Sequence, residues 1–369
     1  MGDATSVAVL GAGNGGCAAA ADLTLRGFDV RLYTRSQSRI EPIIAAGGLT
    51  ATGAAGEGFA RIATVTDELP RAVVGADVVL LCVPASALEY FVPALVTMLR
   101  ADQMVVLNPG HLGTLYFRHA ASRHRADELL LCETATPTHV GRMQAPASVA
   151  ISHVSVDVAF AALPATRTDE LQARISGLFP SIVQASSILE TGLRNLNAVE
   201  HPAQALLNAG RLEHTRGDFL VYRDGTTPSV ARVIEKVDRE RMELAAALGV
   251  EIRSFVDYLE SDGHTSAADA ATGRVFEAMG HRRANSQIKQ PPSFDHPYLH
   301  EDVGWGIAPW IQLAREFGVP VPTMEALART AGMVNGVDYI KDGLTLERLG
   351  FEGLDRTEIK QLVMGESDG

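Results

Sequence analysis

The apolar positions of this chain change rhythm about halfway along. Up to about residue 190 they come as short apolar runs, at Ser6 to Leu10, Asp29 to Tyr33, Ala76 to Pro84, Met104 to Gly110, Leu129 to Glu133, Ser148 to Ser152, Val156 to Leu163 and Ile182 to Leu189. Runs of this length, closed by turn residues, suit the central strands of a parallel sheet covered on both faces. A helix is expected near Arg167 to Leu178. Beyond residue 190 the runs give way to amphipathic helical spacing, as in Pro228 to Leu248, which Gly249 closes. The pattern predicts two domains, an α/β domain over residues 1–190 and a mostly α-helical domain over 191–369 that carries substrate and catalysis. The last ten residues read as a frayed tail.

The first run ends in Gly11-Ala-Gly13-Asn14-Gly15-Gly16, and an alanine-rich segment with strong helix propensity follows, stopped by Gly27. In a strand, glycine turn and helix, Gly11 permits the tight turn, Gly13 lets backbone approach a pyrophosphate, and Gly16 lets helix and strand pack closely. The exposed N–H groups at the helix start then bind phosphate. The expected fold is therefore a Rossmann-type doubly wound sheet, with Gly11, Gly13, Asn14, Gly15 and Gly16 binding a dinucleotide. An acidic residue at the end of the second strand would select NAD; this chain has Thr34-Arg35-Ser36 there, with Arg39 one turn later. Charge-assisted donors suit a 2′-phosphate, so NADP(H) is expected in preference to NAD(H). Pro84 and Asn108 close two further strands and belong at the carboxyl edge of the sheet, where ligands of such folds bind, so they join the cofactor-binding set.

Composition narrows the partners. A formal charge of −12 over 369 residues argues against general affinity for nucleic acid or an anionic membrane, and confines any anion site to local arginines and helix N-termini. Cys17, Cys82 and Cys132 lack metal-ligand spacing, so no metal site is expected, and scattered thiols suit a reducing, cytoplasmic setting. No basic-flanked leader and no run near the ~20 apolar residues of a membrane span is present, which predicts neither signal peptide nor transmembrane helix. Small-molecule substrates are the expected partners. The oligomeric state is left open, a homodimer among the options.

In the helical half, Asn197, His201, Gln204 and Asn208 recur at spacings of three and four between Arg194 and Gly210, so one stripe of an apolar helix is polar. Pro202 removes the N–H that would bond the Ala198 carbonyl, which predicts a kink beside the imidazole. A loop rich in Pro, Ser and His over 290–298 leads into Leu299 to Gly306, whose glycines flanking Trp305 predict a close-packed turn near a ligand. Asp302 there is either a partner for chemistry or the N-cap of the helix expected over 307–317.

Together these residues resemble the opine dehydrogenase family (the NAD/NADP octopine/nopaline dehydrogenases), over nearly the whole chain. The resemblance rests on the glycine start, on Leu107-Asn108-Pro109-Gly110, on Asn197 to Gly210 with its His201-Pro202 pair, and on Tyr222-Arg-Asp-Gly225-Thr-Thr-Pro228 together with Glu301-Asp302-Val303. It implies NAD(P)H-dependent reductive condensation of an α-keto acid, often pyruvate, with an amino acid's amino group, giving a secondary amine dicarboxylate. It also implies a catalytic dyad of His201 and Asp302, with Asn197 holding substrate; Asn208 and Tyr298 join the expected substrate-binding set. The chain departs from the family pattern where Pro297 stands before Tyr298 in place of an arginine and His300 replaces a threonine. His296, His300 or an arginine from elsewhere is left to fill that role, or the amine differs. Two alternatives stand beside this reading: a ketopantoate reductase-like or 3-hydroxyacid dehydrogenase, although 194–210 lacks the lysine such enzymes usually carry there, and a non-catalytic NADP-binding sensor.

Overall fold

The structure is a computed structural model that describes residues 5–121, 128–280 and 287–365. It divides into two compact units, the first comprising Met1–Thr191 with the C-terminal segment from Gln361, the second Gly192–Lys360. The C-terminal segment was expected in the helical domain, and its end was expected to fray. Instead Arg356–Met364 is helical, Ile359 and Val363 are buried, and Gly365 packs so closely on Pro164 that a Cβ there would lie 2.6 Å from the proline ring. The rest of the expected tail, 366–369, lies outside the described residues.

The strands of the first unit are β1 (Ser6–Leu10), β2 (Asp29–Tyr33), β3 (Leu49–Gly53), β4 (Gly58–Ala60), β5 (Thr64–Thr66), β6 (Val78–Leu81), β7 (Met104–Leu107), β8 (Leu130–Thr134), β9 (His139–Ala145), β10 (Ser148–Val154), β11 (Val158–Leu163) and β12 (Ile182–Gln184). Eight of them form one sheet in the order β12-β11-β8-β7-β6-β1-β2-β5, parallel except where β11 meets β8. The chain leaves β1 for β2 on one side and returns to β6 on the other, so the strand order reverses between β1 and β6. Doubly wound sheets open a ligand crevice at that switch point. Val7, Val9, Val30, Leu32, Leu80 and Val106 are buried on these central strands, and each such side chain contributes roughly 1.5–3 kcal/mol relative to exposure.

The helix Asn14–Leu25 follows β1 directly, and its buried Ala18 to Ala21 let it lie close to its neighbours. Against it packs a second, four-stranded sheet in the order β4-β3-β10-β9, of which the apolar pattern announced only β10. In β3 and β9 inward and outward positions alternate, giving no continuous apolar run.

The second unit is helical. Pro228–Leu248 runs as its pattern predicts, started by the Thr227 side chain accepting from Val230 N–H and stopped by Gly249 in the left-handed region. The helix Leu196–Leu207 carries Pro202 in its interior and gives way at Asn208 to the helix Ala209–Thr215.

Candidate active site

In the first unit, a cleft of about 570 Å³ opens at the switch point, lined by Gly11, Gly13, Thr34, Arg35, Ser36, Arg39 and Pro84 among others. The glycines divide by what crowds them. A Cβ on Gly16 would lie 1.8 Å from the Gly11 carbonyl oxygen, and one on Gly11, whose φ is +113°, 2.4 Å from the Cys82 oxygen. These two are demanded by the fold itself. Gly13 would meet only the Arg39 guanidinium, at 3.6 Å, and as N-cap it offers no side-chain acceptor to the first N–H groups of the helix. Open backbone donors beside an uncrowded glycine are a cradle for a pyrophosphate. The cofactor therefore fits these residues.

The remaining cofactor-set residues fall differently. Asn14 accepts from Met143 N–H at 3.0 Å and lines an adjoining cavity of about 330 Å³, and Gly15 has the His139 carbonyl oxygen 3.8 Å from a built Cβ. Exposed Arg35 lays its guanidinium on the Tyr90 ring at 4.2 Å, and Arg39 donates to the Ala12 carbonyl at 3.3 Å. Asn108 is absent from the cleft lining. Its amide donates to Thr138 Oγ1 at 2.8 Å, while its oxygen accepts from Thr138 N–H and Thr134 Oγ1, both at 3.0 Å. Asn108 thus ties β7 to the loop after β8. Thr138 passes the network on to His139 and Asp22, all buried.

In the second unit, His201 lies in the middle of the helix Leu196–Leu207, 4% exposed. Its Nδ1 is 2.8 Å from Asp302 Oδ2 and its Nε2 is 2.9 Å from the Tyr222 hydroxyl. Tyr298 stacks on the ring, with centroids 3.7 Å apart and planes 17° from parallel. A second carboxylate, buried Glu200, reaches within 4.0 Å of Nε2. Burial pushes the Asp302 carboxyl well above the ordinary carboxylate range, since desolvation disfavours its charged form.

Asp302 is delivered by local backbone that the sequence did not announce. Asp302–Ile307 is a π-helix, in which Gly306 N–H reaches back to the Glu301 carbonyl at 3.1 Å. The expected close-packed turn is thus a helical turn of wider bore. Its glycine is needed, since a Cβ on Gly306 would sit 2.6 Å from Ala198 Cβ on the His201 helix. Asp302 does not cap the following helix, Ala308–Phe317, and its carboxylate goes to His201 instead.

Family models place these two halves. The description "NAD/NADP octopine/nopaline dehydrogenase, alpha-helical domain" matches residues 184–335, and "Ketopantoate reductase PanE/ApbA" matches 7–113. An opine dehydrogenase of Arthrobacter sp. (strain 1C) is 34% identical over 98% of this chain and 99% of its own length. The chain belongs to the opine dehydrogenase family. It is an NAD(P)-dependent oxidoreductase that reductively condenses an amino acid with an α-keto acid. Two solved structures share its fold: an octopine dehydrogenase with NADH and L-arginine (TM-score 0.79, 21% identity, 99% of both chains) and an NADP+-bound yersinopine dehydrogenase (TM-score 0.72, 16% identity, 98% and 99%). Among the described residues, no helix is long and apolar enough to cross a membrane.

Within this opine dehydrogenase the expected substrate residues part company. Tyr298 joins His201. Asn197 is exposed on the first turn of the His201 helix. Asn208 commits both amide hydrogens to backbone carbonyls, of Gln204 and Gly225, each at 2.8 Å, so it links helix to loop and has no donor left for substrate. His296 and His300, offered above in place of an arginine, both make contacts within the protein. Burial and the neighbouring His201 and His300 hold His296 below its ordinary pKa, and its Nδ1 accepts from Tyr298 N–H. His300 is spent between Asp295, at 3.0 Å, and the Tyr339 hydroxyl, at 2.8 Å. Tyr222 was singled out only as part of a motif; its contact with His201 spans 21 positions and leaves no periodic signal.

Proposed function

We propose that His201 and Asp302 are the acid–base dyad of this opine dehydrogenase, and that it joins an amino acid to a small α-keto acid such as pyruvate with NADP(H) preferred. The observation that carries the reading is the buried 2.8 Å contact between His201 Nδ1 and Asp302 Oδ2, made across 101 positions of sequence. Asp302 fixes the ring through Nδ1, and although burial alone disfavours its ionised form, protonation of His201 makes the two an ion pair in which each charge stabilises the other. The proton destined for the keto oxygen then leaves from the Nε2 side while the amine adds to the keto carbon. Tyr298 holds the ring plane by stacking. The nicotinamide cofactor, when bound, supplies the hydride that reduces the condensed substrate. Gly13 and the helix start at Asn14 would hold its pyrophosphate, and Thr34, Arg35, Ser36 and Arg39 a ribose 2′-phosphate. No carboxylate lines that cleft to select a bare hydroxyl, which supports the preference for NADP(H).

Following NADPH oxidation with pyruvate and a panel of amino acids tests this. Turnover should require the amine, and kcat/KM should be higher with NADPH than with NADH. Oxidation driven by pyruvate alone, undiminished when amines are omitted, would overturn the substrate assignment, and equal use of NADH the cofactor preference.

A further inference from the structure

We infer that Tyr222 carries the proton between His201 Nε2 and the substrate oxygen. This rests on the reading of His201 as acid–base residue, but adds a group that the His–Asp pair does not include. Nδ1 is taken by Asp302, one ring face is covered by Tyr298, and Nε2 meets the Tyr222 hydroxyl at 2.9 Å. A substrate heteroatom approaching Nε2 along its hydrogen-bonding direction therefore meets that hydroxyl first.

Displacement is opposed by the way Tyr222 is held. The residue is buried, and the turn that carries it is fastened at several points. Val221 N–H donates to the Ile288 carbonyl at 3.0 Å, Asp224 N–H to the Leu220 carbonyl at 2.7 Å, and Leu220 N–H to Asp224 Oδ2 at 3.0 Å. Gly225 leaves no room for slippage, since a Cβ there would lie 2.4 Å from the Val221 oxygen, and its own carbonyl accepts from Asn208. Thr226 is tied back to the His201 helix by Gln204 at 2.9 Å.

In the synthetic direction the transfer balances simply. As the amine nitrogen bonds to the keto carbon, the carbonyl π pair moves onto oxygen. That oxygen takes the Tyr222 hydroxyl proton, and Tyr222 takes the proton from Nε2 of cationic His201. His201 ends neutral and Tyr222 unchanged; opine oxidation runs the relay backwards.

The test compares Tyr222→Phe, His201→Ala and enzyme carrying fluorotyrosine at position 222. Tyr222→Phe should lower kcat about 10²-fold with KM for both substrates within about threefold. Fluorination lowers the phenol pKa, so the fluorotyrosine enzyme should shift a limb of the kcat–pH profile to lower pH, which a packing role would not do. A Tyr222→Phe enzyme with kcat within threefold of the parent, or a fluorotyrosine profile superimposable on the parent's, would overturn the relay. If His201→Ala keeps full activity, the underlying dyad fails instead. Should Tyr222→Phe not fold, the fluorotyrosine profile decides alone.

Discussion

The dinucleotide cleft and the His201 cluster are built in opposite ways. The cleft is made of backbone supplied by a few consecutive residues, where the side chains that matter are those glycine lacks: Gly16 and Gly11 have no room for a Cβ, while Gly13 has room that the protein itself leaves open. The cluster is made of side chains that meet from distant places, His201 with Tyr222 after 21 positions and with Asp302 after 101. A site made of local backbone is fixed by what its turn allows. One made of distant side chains depends on every element that delivers a partner, down to the π-helix that carries Asp302 and whose Gly306 packs on Ala198.

That contrast can be broken first at the glycines. Gly16→Ala should destabilise the first unit by about 3 kcal/mol, because the new methyl meets a backbone oxygen that cannot yield, and thermal unfolding should show it. Gly13→Ala should leave unfolding nearly unchanged yet weaken cofactor binding about tenfold, since the space it fills is the pyrophosphate's. Equal effects from the two would remove the distinction between fold glycine and ligand glycine.

In the cluster, Asp302→Asn should lower kcat at least about 10²-fold with cofactor affinity intact, because an amide cannot stabilise the cationic ring. A drop below threefold would make Asp302 a spectator.

A smaller effect separates the units by pH. Burial pushes fully enclosed His111, in the first unit, down to about 4 from its ordinary 6.5. Below pH 6.5 the unfolded chain binds a proton that the folded one refuses, so stability falls as the pH drops from 6.5 towards 4, by about 3 kcal/mol in all. His111→Asn removes the titration, and asparagine tolerates the φ of 52° found there. Its unfolding temperature should decline less steeply over that range; an unaltered slope would assign the acid loss elsewhere.

The same contrast explains what could be read in advance. The eight runs of apolar residues and the glycine turn are local signals, and they yielded the main sheet, the cleft and the helical second half. Strands β3 and β9 escaped because their inward and outward positions alternate instead of running apolar, and β4 and β5 because three residues leave too little pattern. Position at the carboxyl edge does not say where a side chain points, and the contacts of Asn108 with Thr134 and Thr138 were not legible in the sequence. The same holds for Asn208, whose place on the polar stripe does not reveal that its amide donates to the Gln204 and Gly225 carbonyls. Asp302 came from family resemblance, not from spacing, and the Tyr222 hydroxyl from neither. Contacts between distant residues leave no period in the chain.

The most direct measurement sets the chemistry of the helical unit against cofactor binding in the other. In His201→Ala, kcat for amine-dependent NADPH oxidation and the NADPH Kd from fluorescence are read on the same preparation. The account predicts a fall in kcat of about 10³-fold with Kd unchanged within about twofold. A kcat close to that of the parent enzyme, or a Kd weakened as much as kcat is lowered, would contradict it.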